Sequence, residues 1–184
     1  MAEPAETPAV KLICGMISSR RELFDAAGEV LAAAFGPIEV AGEDMDFDFT
    51  HYYDAEMGTP LYRRFVGFAG TFDPAGLADA KLRTNDIEAD FARRFGSETG
   101  PPRPINLDPG YVEPAKLVLA SMKNFSHRIY LARGVYAEVT LMRRKGGWQV
   151  LPWTFPDYAS GRYDAFLSAV RDRLLRPAGQ GARP

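Results

Sequence analysis

The chain has 184 residues, 46% of them hydrophobic and 25% charged, with a formal net charge of −2 at pH 7. That length suits one domain with a real core. The acidic balance counts against a general affinity for nucleic acid, although a local basic patch stays compatible with it.

The single cysteine, Cys14, excludes an internal disulfide and sits in the apolar stretch "KLICGMI", where an inert buried thiol is expected. No stretch approaches the ~20 apolar residues of a membrane span. The opening "MAEPAETPAV" is acidic with no apolar run, so no secretory leader and no membrane contact are expected, and the reading is a cytoplasmic protein. Residues 1–9 and 177–184 are rich in Pro, Ala, Glu and Gly and read as disordered tails around one domain over residues 10–176.

Taken in chain order, "KLICGMI" is a short apolar run with the length of a buried strand. "SSRRELFDAAGEVLAAAFG" follows as a helix. Ser18 or Ser19 can cap it, Glu22 completes a capping box with Ser19, and Leu23, Ala27, Val30, Leu31 and Ala34 form its apolar face. Gly36 and Pro37 stop it. "IEVAGEDMDFDFTHYY" alternates as one half-exposed strand, with Met45, Phe47 and Phe49 opposed to Asp46 and Asp48. "YRRFVGFAGTF" is a second strand, with Phe65 and Gly67 opposed to Val66 and Phe68.

A longer helix opens at Asp73 and Pro74 and buries Leu77, Ala80, Thr84, Ile87, Phe91 and Phe95. "RPINL" then reads as a short strand, "DPGY" as a turn, and "PAKLVLASMK" as a short helix opened by Pro114. "HRIYL" and "VYAEVTLMR" form a hairpin around "ARG". Its expected register pairs Leu131 with Val135, Tyr130 with Tyr136, Ile129 with Ala137 and Arg128 with Glu138. His127, Ile129, Leu131, Val135, Ala137, Val139 and Leu141 then face the core, opposite a polar face of Arg128, Tyr130, Tyr136, Glu138 and Thr140. "WQVLPWTF" adds a strand, and "YDAFLSAVRDRLLR" closes the domain as an amphipathic helix.

The order strand, helix, strand, strand, helix, strand up to Leu107 is that of a split βαβ, ferredoxin-like first part. An extra hairpin or meander and a C-terminal helix follow. The expected class is α+β, a mostly antiparallel sheet with its helices on one face.

Mixed charge concentrates beside these apolar runs. Lys81, Asn85 and Glu88 form an i, i+4, i+7 stripe bordering the buried face of the long helix. Lys116 and Lys123, seven apart, share a face of the expected short helix. Asp108 opens "DPGY", and His127, Arg128 and Glu138 lie on the hairpin. Each has a plain structural explanation: a solvated stripe, a cation at a helix end, a turn aspartate, a core histidine or a cross-strand ion pair. Gathered around one sheet, they would suit a ligand bearing phosphate or carboxylate, with a divalent ion such as Mg²⁺ or Mn²⁺. In that reading Lys81, Asn85, Glu88, Lys116, Lys123, Arg128 and Tyr53 bind the ligand. His127, Glu138 and Asp108 do proton chemistry, and Glu56, Asp108 and Glu138 hold the metal.

Phosphate-binding loops of the G-x-x-x-x-G-K-[ST] and G-x-G-x-x-G kinds are absent, as is a G-x-S-x-G elbow. Two histidines, His51 and His127, and one cysteine cannot build a typical structural zinc site.

The blocks "FTHYYDAEMGTPLYRRFVGF", "LRTNDIE", "RPINLDPGYVEPAKLVLASMKNFSHRIYLARGVYAEVTL" and "WTFPDY" resemble a bacterial and archaeal family, the domain of unknown function numbered 4416. The resemblance covers almost the whole ordered chain, from about Lys11 to Arg176. It implies no assigned activity. The motif residues it carries are Tyr52, Tyr53, Glu56, Met57 and Gly58 in the first block, with Lys81, Thr84, Asn85 and Glu88 on the long helix. The central block carries Asn106, Asp108, Gly110, Tyr111, Lys116, Ser121, Lys123, His127, Arg128 and Glu138. Trp153, Thr154, Asp157 and Tyr158 belong to the last.

Three functions fit these residues. The first is an enzyme or a binding protein for a phosphorylated small molecule or nucleotide. The second is an interaction or scaffold protein whose charges are an ion-pair network. The third is an RNA-binding module using Tyr130, Tyr136 and Arg128 on the sheet face.

Overall fold

In the computed structural model, which describes residues 3, 7–96 and 101–176, the stretch "KLICGMIS" is a strand buried at every position. The elements run β1 (Lys11–Ser18), α1 (Glu22–Phe35), β2 (Ile38–Ala41), β3 (Met45–Asp46), α2 (Asp54–Met57), β4 (Tyr62–Phe68) and α3 (Leu77–Phe95). They continue with β5 (Asn106–Glu113), β6 (Lys116–Ser121), β7 (Ile129–Ala132), β8 (Val135–Arg144), β9 (Gly147–Val150), α4 (Pro156–Ala159) and α5 (Asp164–Leu175). Of the expected tails, residues 1–2, 4–6 and 177–184 lie outside the described residues.

The fold is α+β. The nine described strands form one open sheet in the order β2-β4-β1-β5-β6-β8-β7, with β3 added to β4 and β9 to β8. Every pairing between these strands is antiparallel.

Helices cover both faces, not one. Alternate side chains of β1 explain why: Leu12, Cys14 and Met16 pack with Phe24 and Leu31 of α1 and Ile87 and Phe91 of α3. Ile13 points the other way, into a second core with Phe65, Leu117, Leu141 and Tyr163, Phe166, Leu167 and Val170 at and within α5. A strand apolar on both sides needs cover on both, and each fully buried large side chain contributes roughly 1.5–3 kcal/mol.

Several local expectations change. Ser18 and Ser19 do not cap α1; Ser18 Oγ donates to the Pro104 carbonyl and Ser19 Oγ to that of Met57, each at 2.7 Å. The alternating stretch after α1 is broken into β2 and β3, because Gly42 leaves the strand and donates to the Phe65 carbonyl at 2.8 Å. The helix expected over "PAKLVLASMK" is β6, whose Leu117 and Leu119 face one core and Val118 and Ala120 the other. A short apolar run buried on both sides carries no period to separate strand from helix. The turn expected at "DPGY" is straight strand within β5.

The hairpin keeps the Ile129–Ala137 and Tyr130–Tyr136 pairs but closes Ala132 on Val135 rather than Leu131. Its loop is Arg133-Gly134, both at positive φ (48° and 79°), the two-residue turn whose twist suits a hairpin. The expected faces are not kept. Val118 pairs with Val139 and Leu117 with Leu141, so Thr140 is an extra residue in β8. Val135, Ala137 and Val139 therefore pack toward α3, while Leu141 joins the opposite core. Ile129 and Leu131 are exposed, because β7 is the last strand of the sheet, whereas Glu138 and Thr140 are buried.

Candidate functional site

The sheet contains a fork. β5 and β6 pair only from Glu113–Lys116 to Gly110–Leu119; beyond that point β5 continues along β1 and β6 along β8. Pro109 stands at the branching point and has no N–H to offer a neighbour. The edge of β5 that faces the gap is completed by α3. Lys81 Nζ donates to the Leu107 carbonyl at 2.9 Å, and Glu88 Oε1 accepts the Leu107 N–H at 2.7 Å. Two helical side chains replace the strand that is missing there.

A cavity of about 630 Å³ opens at this fork, lined by Asn106 and Asp108 on one branch, Leu119, Ala120 and Ser121 on the other, and Lys81 and Asn85 from α3. Asp108 pairs in register with Gly15, as Phe65 does, so it stands on the sheet face away from α3. Lys81 reaches through the fork to bond its Oδ1 at 3.2 Å, and Asn106 Nδ2 donates to Oδ2 at 2.6 Å. Burial pushes the Asp108 carboxyl up, but Lys81, Arg63 and the Asn106 bond outweigh it and hold the group below the usual carboxylate range. Glu88 differs: its burial outweighs Lys81, Arg103 and the Leu107 N–H, and its pKa is raised. Arg103 donates to Glu88 Oε2 at 2.9 Å, to Glu56 Oε2 at 3.4 Å and to Asn106 Oδ1, tying this wall together. Tyr53, packed against the same wall, has its hydroxyl pushed up to about 12, by burial first and by Asp108 second.

A second wall is built on Arg63 of β4, 4% exposed. Nη1 donates to Asp157 Oδ2 at 2.5 Å and Nη2 to the Tyr158 hydroxyl at 3.0 Å, while Tyr163 also donates to Asp157 at 3.2 Å. Arg63 Nε is buried without a partner among the described residues. The guanidinium carbon lies 4.7–5.5 Å from the ring centres of Phe65, Tyr158, Tyr163 and Phe47, so π faces surround a charge almost wholly withdrawn from water. The space for it exists because Gly15 has no side chain; a Cβ there would lie 2.9 Å from Nη2 and 2.8 Å from Phe65 Cε1. Breaking such a buried pair on one side costs roughly 3–5 kcal/mol.

The third wall comes from the hairpin. Glu138, 3% exposed, accepts from Arg128 Nε at 2.7 Å and lies 3.0 Å from His127 Nε2. Arg128 Nη1 also donates to Ser121 Oγ and the Lys123 carbonyl, both at 2.9 Å. His127 stacks on Trp153 with ring centres 5.2 Å apart, and Trp153 is fixed by a 2.8 Å bond to the Val139 carbonyl. At the mouth, the Lys123 ammonium contacts the Tyr52 hydroxyl and lies 4.2 Å from that ring's centre.

The structure thus brings Tyr53, Glu56, Lys81, Asn85, Asp108, Lys123, Arg128 and Glu138 to one cleft. Glu88 supports its wall through Arg103 and Leu107. His127 stands behind Glu138 instead of lining the cavity, and Lys116 is at the far end of β6, paired with Glu113 at 2.5 Å. Lys116 and Lys123 share no helix face, because the segment between them is a strand. The expected metal set does not assemble. Glu56, Asp108 and Glu138 are each bonded by a cation, and among the described residues no three His, Cys, Asp or Glu side chains converge to hold an ion.

Sequence reasoning about the site missed Arg63 and Arg103, and it passed over Asn106 and Asp157. Arg63 left a readable signal: it shares the strand face of Phe65 and Gly67, an arginine on an apolar stripe. Arg103 left none, since it belongs to no regular element. Cys14 is fully buried, and burial pushes its thiol far up, as an inert structural cysteine requires. Among the described residues no helix is long and apolar enough to cross a membrane.

A cleft lined from four strands of a forked antiparallel sheet, β4, β5, β6 and β8, and from α3 defines a small-molecule-sized site of no standard motif. The chain belongs to the family described as Domain of unknown function (DUF4416), whose model matches residues 8–174. No curated protein and no solved structure matches it.

Proposed function

We propose that the cleft binds a phosphorylated small molecule or nucleotide. One observation carries this reading: a cavity of about 630 Å³ is lined by five cations, Arg63, Lys81, Arg103, Lys123 and Arg128, against four carboxylates, Glu56, Asp108, Glu138 and Asp157, with Tyr52, Tyr53, Phe155 and Tyr158 beside them. That volume lies in the range of small-ligand sites, and cations beside aromatic faces suit an anionic group carried on a flat or sugar-like body. Mg²⁺ or Mn²⁺ would arrive with the phosphate and keep most of its waters, as Mg²⁺ commonly does. Turnover would fall to Asp108, an ionised acceptor at neutral pH; His127 would act by holding Glu138.

The test is a thermal-shift screen of the full chain against nucleotides, sugar phosphates and carboxylates, with and without Mg²⁺ or Mn²⁺. A ligand at ~100 times its dissociation constant adds roughly 2.7 kcal/mol, which moves the melting point by a few degrees. A shift with a phosphorylated class supports the reading, and a flat response across every phosphate compound overturns it.

A second reading, an interaction protein, is favoured by one surface. Met122, Phe125, Ile129, Tyr130 and Leu131 are all at least 40% exposed at the β7 edge. The RNA-binding reading draws less support, because Arg128 is turned inward to Glu138 and away from Tyr130 and Tyr136. Two further points belong to this proposal. The antiparallel order β2-β4-β1-β5, with α1 and α3 on one face, supports a ferredoxin-like first part. The lone buried thiol of Cys14 is in keeping with a cytoplasmic protein.

A further inference from the structure

Among the residues lining the cleft, four of the five cations are each bonded to a carboxylate, two of those bonds lying in its most buried parts. Lys123 is the exception among the described residues. Its ammonium has no carboxylate within ion-pair distance and rests on the hydroxyl and ring of Tyr52, itself 60% exposed. The backbone that carries it is not loose, because the Lys123 carbonyl accepts from Arg128, and Arg128 is held in turn by Glu138.

A polyphosphate brings three or four negative charges and needs several uncompensated cations, or a metal with carboxylates free to hold it. Among the described residues this cleft offers one such cation, and each of its lining carboxylates is already paired. The lining polar side chains that make no side-chain hydrogen bond among the described residues, the Asn85 amide and the Tyr53 hydroxyl, are neutral and half-buried. Neutral donors and acceptors read the edge of a base or the hydroxyls of a sugar.

We propose that the ligand is a phosphate monoester, bound with its body inward between Asn85 and Tyr53 and its one phosphate at the mouth on Lys123 and Tyr52. This rests on the phosphate-binding reading of the cleft and narrows it. A triphosphate bound the same way would carry its further charges outward past Lys123, where no second unpaired cation lines the cleft among the described residues and the exposed Glu56 is a carboxylate.

The experiment is isothermal titration of the full chain, at fixed ionic strength and with and without Mg²⁺. The probes are inorganic phosphate, ribose 5-phosphate, adenosine and guanosine, their 5′-monophosphates, and ATP and GTP. One monoester is expected to bind about tenfold tighter than either triphosphate and than inorganic phosphate. Whether that monoester is ribose 5-phosphate or a nucleotide separates a sugar body from a base. Lys123→Met should weaken it about tenfold, Lys123→Arg should largely retain it, and binding of the free nucleosides should not change. Lys123 is exposed, so neither variant threatens folding. A triphosphate that binds as tightly as any monoester, or a Lys123→Met variant that binds the monoester unchanged, overturns this inference and leaves phosphate binding standing. Failure of every phosphate compound to bind overturns both.

Discussion

Lys81 and Glu88, two turns apart on α3, grip the same residue of β5 from both sides: Lys81 donates to the Leu107 carbonyl, and Glu88 accepts the Leu107 N–H. The pair closes an open strand edge with two side chains, and it does so at the point where the cleft begins. Lys81→Met removes the donor to a buried carbonyl and to Asp108 together, so a loss of about 2–4 kcal/mol is expected. Glu88→Ala should cost about 1–3 kcal/mol by stranding the Leu107 N–H, while Glu88→Gln keeps an acceptor and should cost less. Urea unfolding of the three variants checks the order. A Lys81→Met variant as stable as wild type would show that the edge needs no closure.

Asp108 and Glu88 should give opposite pH trends. The folded pKa of Asp108 lies below its ordinary value of 3.8, so its contribution is fully present above 3.8 and is lost as pH falls through the folded value. The folded pKa of Glu88 lies above its ordinary 4.5, so its contribution is fully present below 4.5 and is lost as pH rises through the folded value. Asp108→Asn should therefore lower the unfolding midpoint at pH 7 and converge on wild type in acid. Glu88→Gln should compare more favourably with wild type at pH 7 than at pH 4. Midpoints measured across this range decide it, and parallel trends for the two variants would contradict the assignment.

The hairpin offers a test of which face is inside. Ile129 is 71% exposed and Val135 fully buried. Ile129→Ala should change stability by less than about 0.5 kcal/mol, whereas Val135→Ala should cost roughly 1–3 kcal/mol. If Ile129→Ala proved as costly as Val135→Ala in chemical denaturation, the outer face of β7 would have to be covered.

Much of the architecture was legible where a signal is local. The stripe Leu77, Ala80, Thr84, Ile87, Phe91 marks α3, and Asp73 accepts from the Ala75 N–H as its place before Pro74 suggests. The "KLICGMI" strand and the closing helix were equally readable. "KLVLAS" was not, since four consecutive buried residues suit either a strand or a helix, and only the strands on both sides decide. "DPGY" misled for a related reason. Asp, Pro and Gly favour a turn in isolation, yet Pro109 costs β5 little because the side it leaves without a donor is the side where the sheet divides.

The chemistry followed the same division. Composition and spacing marked out the cluster Lys81, Asn85, Asp108, Lys123, Arg128 and Glu138, because charge beside an apolar run is a local property of the chain. What those groups do depends on partners 10 to 100 residues away: Arg128 on Glu138, Lys81 on Leu107 and Asp108, Arg63 on Asp157. Such pairings arise only when the strands are in register, since ion pairing acts over a few ångströms and carries no trace along the sequence. The residues of the cleft were thus written in the chain, while the fork that opens it, and the loss of charge that leaves Lys123 without a carboxylate, came from the tertiary packing of β5, β6 and α3.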